Sequence, residues 1–235
     1  MGGSRRSRGP LNPKNKMVVM FPKPTPWKVE PEWAGQTAYI VGGGTSVEQL
    51  DLSVLQGRNV IAINSSYLTC PWAQFLFFGD ARWYNHQRRT FKIHPYKGRI
   101  VTCSDPVRGP DLLGLKRINP PPGLTDDPTK VVSQRTSCQG AQNFAWHLRA
   151  KRQVLIGIDM KRAEDGHTHH HEPHPWPLPT GNSSWDQQMQ HLKLIAEPLR
   201  QREVEVINVS PISRIDWWPK MSLAEAIALE TKDGK

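Results

Sequence analysis

Thr37-Ala38-Tyr39-Ile40-Val41 followed by Gly42-Gly43-Gly44-Thr45-Ser46 is the stretch on which the fold turns. Five β-favouring residues run straight into three glycines and two hydroxyl residues, and a helix-compatible segment starts at Val47. Glycine lets backbone N–H groups approach an anion closely, and a following helix start adds the positive end of its dipole. The turn therefore reads as a candidate phosphate cradle in an α/β nucleotide-binding domain. The plainer alternative is a tight strand–helix bend with no ligand. The dinucleotide fingerprint needs a third glycine where Val47 stands, which argues against NAD and FAD. No lysine follows the glycines, so the P-loop pattern is also absent.

Outward from this turn, strand and helix patterns alternate. Strands are expected at Thr37–Val41, Asn59–Ile63, Phe75–Phe78, Arg99–Thr102, Val154–Ile158 and Val204–Val209. Several are continuous apolar runs, as in a parallel sheet covered on both faces. Helices are expected from Ala81 to about Thr90 behind Asp80 as N-cap, and over Cys138–Ala150 behind Ser137. A third covers Trp185–Gln201 with a bend near Pro198, and a fourth begins at the capping box Ser222-Leu223-Ala224-Glu225. The fold class that follows is α/β: one Rossmann-like, doubly wound, mostly parallel sheet with long crevice loops. Two irregular segments interrupt it, Asn119–Lys130 and Lys161–Ser184. Loops of that length in a compact domain are binding loops, lids or disordered segments.

The chain has 235 residues, enough for one domain of roughly 200 residues with tails. The expected division is a disordered basic arm over 1–33, a domain over 34–228 and a tail over 229–235. Residues 1–33 carry Arg5, Arg6, Arg8, Lys14, Lys16, Lys23 and Lys28 against Glu30 and Glu32, half of the net charge of +10. Such an arm suits a polyanion or nucleic acid, or is simply a solvated tail. No apolar run approaches the roughly 18 residues of a membrane span, and the N-terminus lacks the apolar core of a signal peptide. Cys70, Cys103 and Cys138 are too widely spaced for a zinc pattern or a disulfide framework, so a reducing cytoplasm is the simplest location. The oligomeric state is not legible.

Each expected strand ends in polar residues that would face one crevice: Gly42–Ser46, Asn64-Ser65-Ser66, Gly79-Asp80 and Asp159. In open α/β sheets ligands bind at these C-terminal ends. Arg135-Thr136-Ser137 opens the helix before strand 154–158, and free N–H groups with hydroxyls there suit a phosphate oxygen. A simple N-cap explains the same residues. His167, His169, His170, His171 and His174 crowd the second loop beside Asp165 and Glu172. One of them suits a general base, since imidazole titrates near neutrality. A zinc site and a solvated loop with incidental histidines are the alternatives. Trp217-Trp218-Pro219-Lys220 reads as core anchoring or as a cover for the crevice.

Taken in order, Gly-Gly-Gly-Thr-Ser, Ala-Ile-Asn64, Phe-Phe-Gly-Asp80, Arg-Thr136-Ser137 and Gly-Ile-Asp159-Met resemble the bacterial family-42 sialyltransferases. The Asn-Val-Ser-Pro turn and Trp-Pro-Lys-Met-Ser-Leu resemble phage-encoded relatives of that group. The resemblance spans about residues 36–225. It implies a variant Rossmann-like fold that binds CMP-sialic acid and needs no metal. It places Gly42, Gly44, Ser46 and Asn64 at the nucleotide, and Thr136 and Ser137 near the donor phosphate or sugar; Gly43, Thr45 and Asp80 are added to the expected nucleotide wall by their place in the same turn and at the neighbouring strand end. A loop histidine, with His171 as the choice, would be the base; Asp159, from its place at a strand end, is a second catalytic candidate. The chain departs from the family at Gly43 (Asn there) and Thr45 (Pro there), and the family's paired tyrosines have no match.

The function expected is a glycosyltransferase-like enzyme with a nucleotide-sugar donor, CMP-linked by resemblance. One alternative is a non-catalytic phage accessory protein with a nucleic-acid-binding arm. Another is a nucleotidyl or pyrophosphoryl transferase with Mg²⁺ on Asp80 and Asp159, because a pterin pyrophosphokinase group has a similar first turn.

Overall fold

The structure is a computed structural model and describes residues 21–172, 175–176 and 182–233. Strands are β1 (Thr25–Pro26), β2 (Thr37–Val41), β3 (Val60–Ile63), β4 (Phe75–Phe78), β5 (Arg99–Thr102), β6 (Leu112–Gly114), β7 (Lys116–Ile118), β8 (Lys130–Val132), β9 (Arg152–Ile156) and β10 (Glu205–Asn208). Helices are α1 (Ala81–Arg89), α2 (Ser137–His147), α3 (Asn182–Lys193), α4 (Ala196–Gln201) and α5 (Leu223–Asp233). Eight strands form one sheet in the order β1-β6-β5-β4-β3-β2-β9-β10, and β7 pairs with β8 separately. Every pairing is parallel, so the α/β expectation holds.

The chain starts the main run of strands at β2, steps outward through β3, β4, β5 and β6, then returns to add β9 and β10 on the other side. The order therefore reverses between β2 and β9. A crevice opens at such a reversal, outside the strands' C-terminal ends. Strand pleating explains the apolar runs. Ala38 and Ile40 face one core with Phe75, Phe77, Phe144 and Leu155. Tyr39 and Val41 face the other with Leu76, Phe78, Ile156 and Ile207. Helices α2, α3 and α4 cover the first face, α1 and α5 the second.

Several boundaries differ from expectation. Residues 21–33 belong to the packed body. β1 joins the sheet edge, Val29 and Trp33 are buried, and Glu32 pairs with Arg99. Apolar anchoring outweighs the proline-rich composition there. Residues 1–20 lie outside the described residues, and so does the rest of the arm expected there. Helix α5 runs on to Asp233 across the expected tail boundary at 228/229, and the Ser222–Glu225 capping box forms. The third helix breaks at Leu194–Ile195 and not at Pro198, which sits in the first turn of α4, where a missing N–H costs nothing.

The 120–129 loop is tied down from α2. The Asn143 side chain accepts from Thr125 N at 3.1 Å and Val132 N at 2.9 Å, and donates to Thr125 O at 3.0 Å. Gln139, fully buried, donates to His191 O at 3.0 Å. Asn143→Ala is expected to destabilise the protein by about 2 kcal/mol, since the buried Val132 N and the part-buried Thr125 N and O lose their partners. Urea unfolding checks this, and a loss below about 1 kcal/mol would count against it. All three cysteines are free and buried. Among the described residues, no helix is long and apolar enough to cross a membrane.

Candidate functional site

A crevice of about 310 Å³ lies at the β2/β9 reversal, within the range of small-ligand pockets. Gly42, Gly43 and Gly44 form one wall, with Gly157, Ile158 and Asp159 behind them. Asn64 and Asp80 come from the ends of β3 and β4, and Arg135, Thr136 and Ser137 from the start of α2. Lys161, Thr168, His169, Trp176 and Trp185 close it from the long loop and α3. Of the residues expected at the strand ends and helix start, Gly42, Gly43, Gly44, Asn64, Asp80, Thr136, Ser137 and Asp159 line this crevice, and Thr45 and Ser46 do not. Arg135, Lys161, Trp176 and Trp185 line it as well, and in the sequence their only signal is proximity to the strand-end motifs.

The glycine turn works differently from a phosphate cradle. Gly42 N donates to Ile156 O at 2.7 Å and Gly44 N to Gly157 O at 2.8 Å. These two amides therefore extend the β2–β9 ladder and do not face an anion. The segment behind the turn is a 3-10 helix of five residues, Thr45–Gln49, and not the expected α-helix, so its dipole is small. The glycines are needed for close approach. A Cβ on Gly42 would lie 2.4 Å from Ile158 Cδ1, and one on Gly44 would lie 2.5 Å from the Asp159 carboxyl.

Asp159 is 2% exposed and holds this wall in place. Ser46 N donates to its Oδ2 at 2.9 Å and Ser46 Oγ to its Oδ1 at 2.6 Å. Ser210 Oγ also donates to Oδ1. With both oxygens engaged, Asp159 is a positioning residue and not the catalytic group expected from its sequence position. Ser46 serves the same contact and lies behind the crevice wall. Asp80 Oδ1 accepts from Arg82 N at 2.8 Å and caps α1. Of the two carboxylates proposed for Mg²⁺, Asp159 has both oxygens engaged by protein donors, and Asp80 is engaged through Oδ1. Among the described residues, no group of three His, Cys, Asp or Glu side chains is arranged to hold a metal ion.

Two polar atoms near the ligand space lack partners. Asn64 Oδ1 and Thr45 Oγ1 are buried with no hydrogen bond. Asn64 has φ of +50°, a left-handed conformation that a non-glycine residue adopts at a cost. Asn64 lines the crevice, with its Oδ1 buried in the wall. Thr45 lies one step behind the lining.

On the opposite wall the Thr136 hydroxyl accepts from Cys138 N at 3.2 Å and caps α2. Ser137 follows at the first turn, where helix N–H groups are unpaired within the helix. Arg135, at φ +65°, is exposed at the mouth. Arg135 directly precedes this helix start, and Lys161 adds a second cation to the crevice lining.

The histidine loop is stapled to the glycine turn. His170 N donates to Gly43 O at 3.0 Å, and its Nε2 meets Thr69 Oγ1 at 3.1 Å. His169 and His171 stack with ring centroids 4.9 Å apart, both against Gly43. His169 lines the crevice, whereas His171 faces a small outer pocket with His86 and Lys92. The crevice-facing histidine is therefore His169, two residues before the one selected from sequence. Period-two alternation put both on one side, and only the strap's docking separates them. His174 lies outside the described residues.

Burial holds the His170 imidazole below its ordinary value, and burial does the same for His147. In the folded protein the neutral ring is favoured, so the unfolded chain takes up protons first as pH falls below about 6.5. Stability is therefore expected to be flat above that point and to fall as acid is added, until the depressed folded values are passed. Denaturation midpoints at about pH 7.5 and about pH 5.5 check this, with carboxylate titration lower down. His170→Gln combined with His147→Gln should flatten the difference, and an undiminished difference would sink this account.

Among solved structures, a glycosyltransferase from Magnetospirillum magneticum AMB-1 matches with a TM-score of 0.62 and 13% identity, over 91% of this chain. The fold is shared with a known glycosyltransferase. The chain spans 39% of the length of that protein. The Campylobacter jejuni sialyltransferase CstII, solved in complex with a substrate analogue, cytidine-5'-monophosphate, matches at a TM-score of 0.49 and 13% identity, over 80% of this chain and 86% of that one. No family model and no curated protein matches the chain.

Proposed function

We propose that this chain is a glycosyltransferase-like enzyme that holds a nucleotide-sugar donor in the β2/β9 crevice. The observation that carries the reading is the buried, unpartnered Asn64 Oδ1 in the crevice wall. A buried acceptor without a donor costs about 1–3 kcal/mol, and a nucleoside amino or hydroxyl group would relieve it. The donor phosphate sits at the start of α2, against Ser137 N–H, Arg135 and Lys161. This placement uses the helix N-terminus and two cations where negative charge develops on the leaving group. CMP-linked donors come first, on the sequence resemblance.

In the reaction, His169 takes the proton of an acceptor hydroxyl. The hydroxyl oxygen attacks the anomeric carbon, and the bond from that carbon to the phosphate oxygen breaks. The electron pair stays on the departing nucleotide, stabilised by the α2 start. The stacked His171 and the stapled His170 fix the orientation of His169 and are positioning residues.

Calorimetry with CMP, UDP, GDP and their sugars tests the donor site. Binding of at least one at sub-millimolar concentration is expected, and none at millimolar concentration overturns the reading. Arg135→Ala should weaken the bound nucleotide about tenfold, roughly 1.4 kcal/mol, with the fold unaffected. A nucleoside without phosphate should not notice this change.

A further inference from the structure

The C-terminal edge of the sheet holds more than the crevice. Past Asp80 a second cavity of about 320 Å³ is lined by Gly79, Asp80, Cys103, Ser104, Asp105 and Arg117. It leads through Ser104 and Asp105 into a third of about 630 Å³, twice the crevice in size, where β5, β6 and β1 end. The crevice and the second cavity share Asp80, and the second and third share Ser104 and Asp105, so the three adjoin in a row, a trough along the strand ends from β2 to β6. From Asp80 at the end of β4 to the end of β6 is two strand spacings, roughly 10 Å.

The far cavity has a definite chemistry. Lys23, Lys28 and Lys116 line it, and Asp105 is its single acidic residue. None of the three ammonium groups is paired with a carboxylate among the described residues. Thr102, Ser104 and Thr129 also line it, with the Thr102 hydroxyl accepting from Ser104 N at 3.0 Å and the Thr129 hydroxyl donating to Asp127 Oδ1 at 2.6 Å. Trp27, half-buried, packs on Phe75 and Phe144 at centroid distances of 6.1 and 5.7 Å, has the Arg99 guanidinium 5.9 Å from its ring centroid, and also lines the cavity. In the connecting cavity, Arg117 donates to Gly79 O, while its Nε is buried with no partner. A rigid indole with hydroxyls around it suits the face and rim of a sugar ring, and three unpaired lysines suit its negative charge.

We propose that this trough is the acceptor subsite and that it takes an acidic saccharide, with a sugar ring on Trp27 and a carboxylate among Lys23, Lys28 and Lys116. Calling it an acceptor rests on the glycosyltransferase reading of the crevice; binding of the saccharide does not. The chain's own residues 1–20 are poor competitors for it, because they carry five basic residues and no acidic one. The saccharide runs from the lysines past Arg117 and presents a hydroxyl at Asp80, where the crevice begins.

The test is calorimetry on the full chain without nucleotide, using trigalacturonic acid, neutral maltotriose and a tetra-aspartate peptide. Trigalacturonic acid is expected to bind at sub-millimolar concentration, to weaken at least tenfold in the Lys23→Ala/Lys28→Ala/Lys116→Ala variant, and to exceed both other probes at least tenfold. All three lysines are exposed, so the variant should fold, and unchanged thermal unfolding confirms it. No binding of trigalacturonic acid at millimolar concentration overturns the proposal, as does affinity that the triple substitution leaves unchanged. Equal binding of maltotriose removes the acidic requirement, and equal binding of the peptide removes the saccharide. Failure of nucleotides to bind the crevice, with trigalacturonic acid still bound through the lysines, would sink the donor reading and leave this site standing.

Discussion

Asp159→Ala is expected to destabilise the protein by about 4 kcal/mol and to abolish nucleotide binding at the crevice. Three donors converge on this one carboxylate: Ser46 N, Ser46 Oγ and Ser210 Oγ. Hydrogen bonds to a charged acceptor contribute roughly 1.5–3 kcal/mol each, and the three are not additive because they share two oxygens. Truncation leaves a buried backbone N–H and two buried hydroxyls without an acceptor. It also unties three segments from one another, the turn after β2, the end of β9 and the chain after β10. Arg214 N on Asp159 O at 3.0 Å is a main-chain contact and survives the substitution. Chemical denaturation measures the first effect and calorimetry the second. Asp159→Asn separates the roles. Its amide oxygen still accepts from one or two donors, so it should retain part of the stability. A variant that unfolds like the parent would mean that the carboxylate is not the tie described.

The central part of the fold was readable because its residues obey one rule each. Thr37–Val41 and Phe75–Phe78 are buried on both faces, so every position is apolar or nearly so, and both strands fall where expected. β1, β6, β7 and β8 are two or three residues long, too short for any periodicity to appear. β1 also hides in a proline-rich run, where composition points to disorder while Val29 and Trp33 settle the matter by burial. At the site, Asn64, Thr136 and Ser137 were legible because strand ends and helix starts mark themselves in sequence. Asp159 was found but given the wrong work. A carboxylate after a strand is equally suited to catalysis and to tying loops, and only its partners decide. His169 and His171 have the same neighbours and the same parity, so nothing local separates them. The trough beyond Asp80 draws Lys23 and Lys28 from the N-terminal segment and Lys116 from β7, residues brought together by the pairing of β1 with β6.

The glycine turn yields the second large effect, and two adjacent substitutions distinguish its roles. Gly44→Ala would place a Cβ 2.5 Å from Asp159 Oδ2 and 2.7 Å from Gly157 O. The first of these is a buried side chain held by three donors, and the second is strand-end backbone bonded to Gly44 N. Neither can yield by the several tenths of an ångström required. The expected loss is about 2–3 kcal/mol, the upper range for overpacking, together with a widened β2–β9 junction and weakened nucleotide binding. Gly43→Ala would instead meet His169 Cδ2 at 2.9 Å and His171 Nε2 at 3.3 Å. Those are the outer edges of two rings on a surface strap, and they can rotate away. Stability should change by less than about 1 kcal/mol, and nucleotide affinity should hold. If transfer occurs at the crevice, Gly43→Ala should lower kcat with little change in donor KM, because it moves the base without touching the donor's wall. Parallel urea titrations of the two variants make the comparison. Equal stability losses would show that the strap is as rigid as the strand end, and that His169 is held by more than the stacking on His171 and the bond from His170 N to Gly43 O.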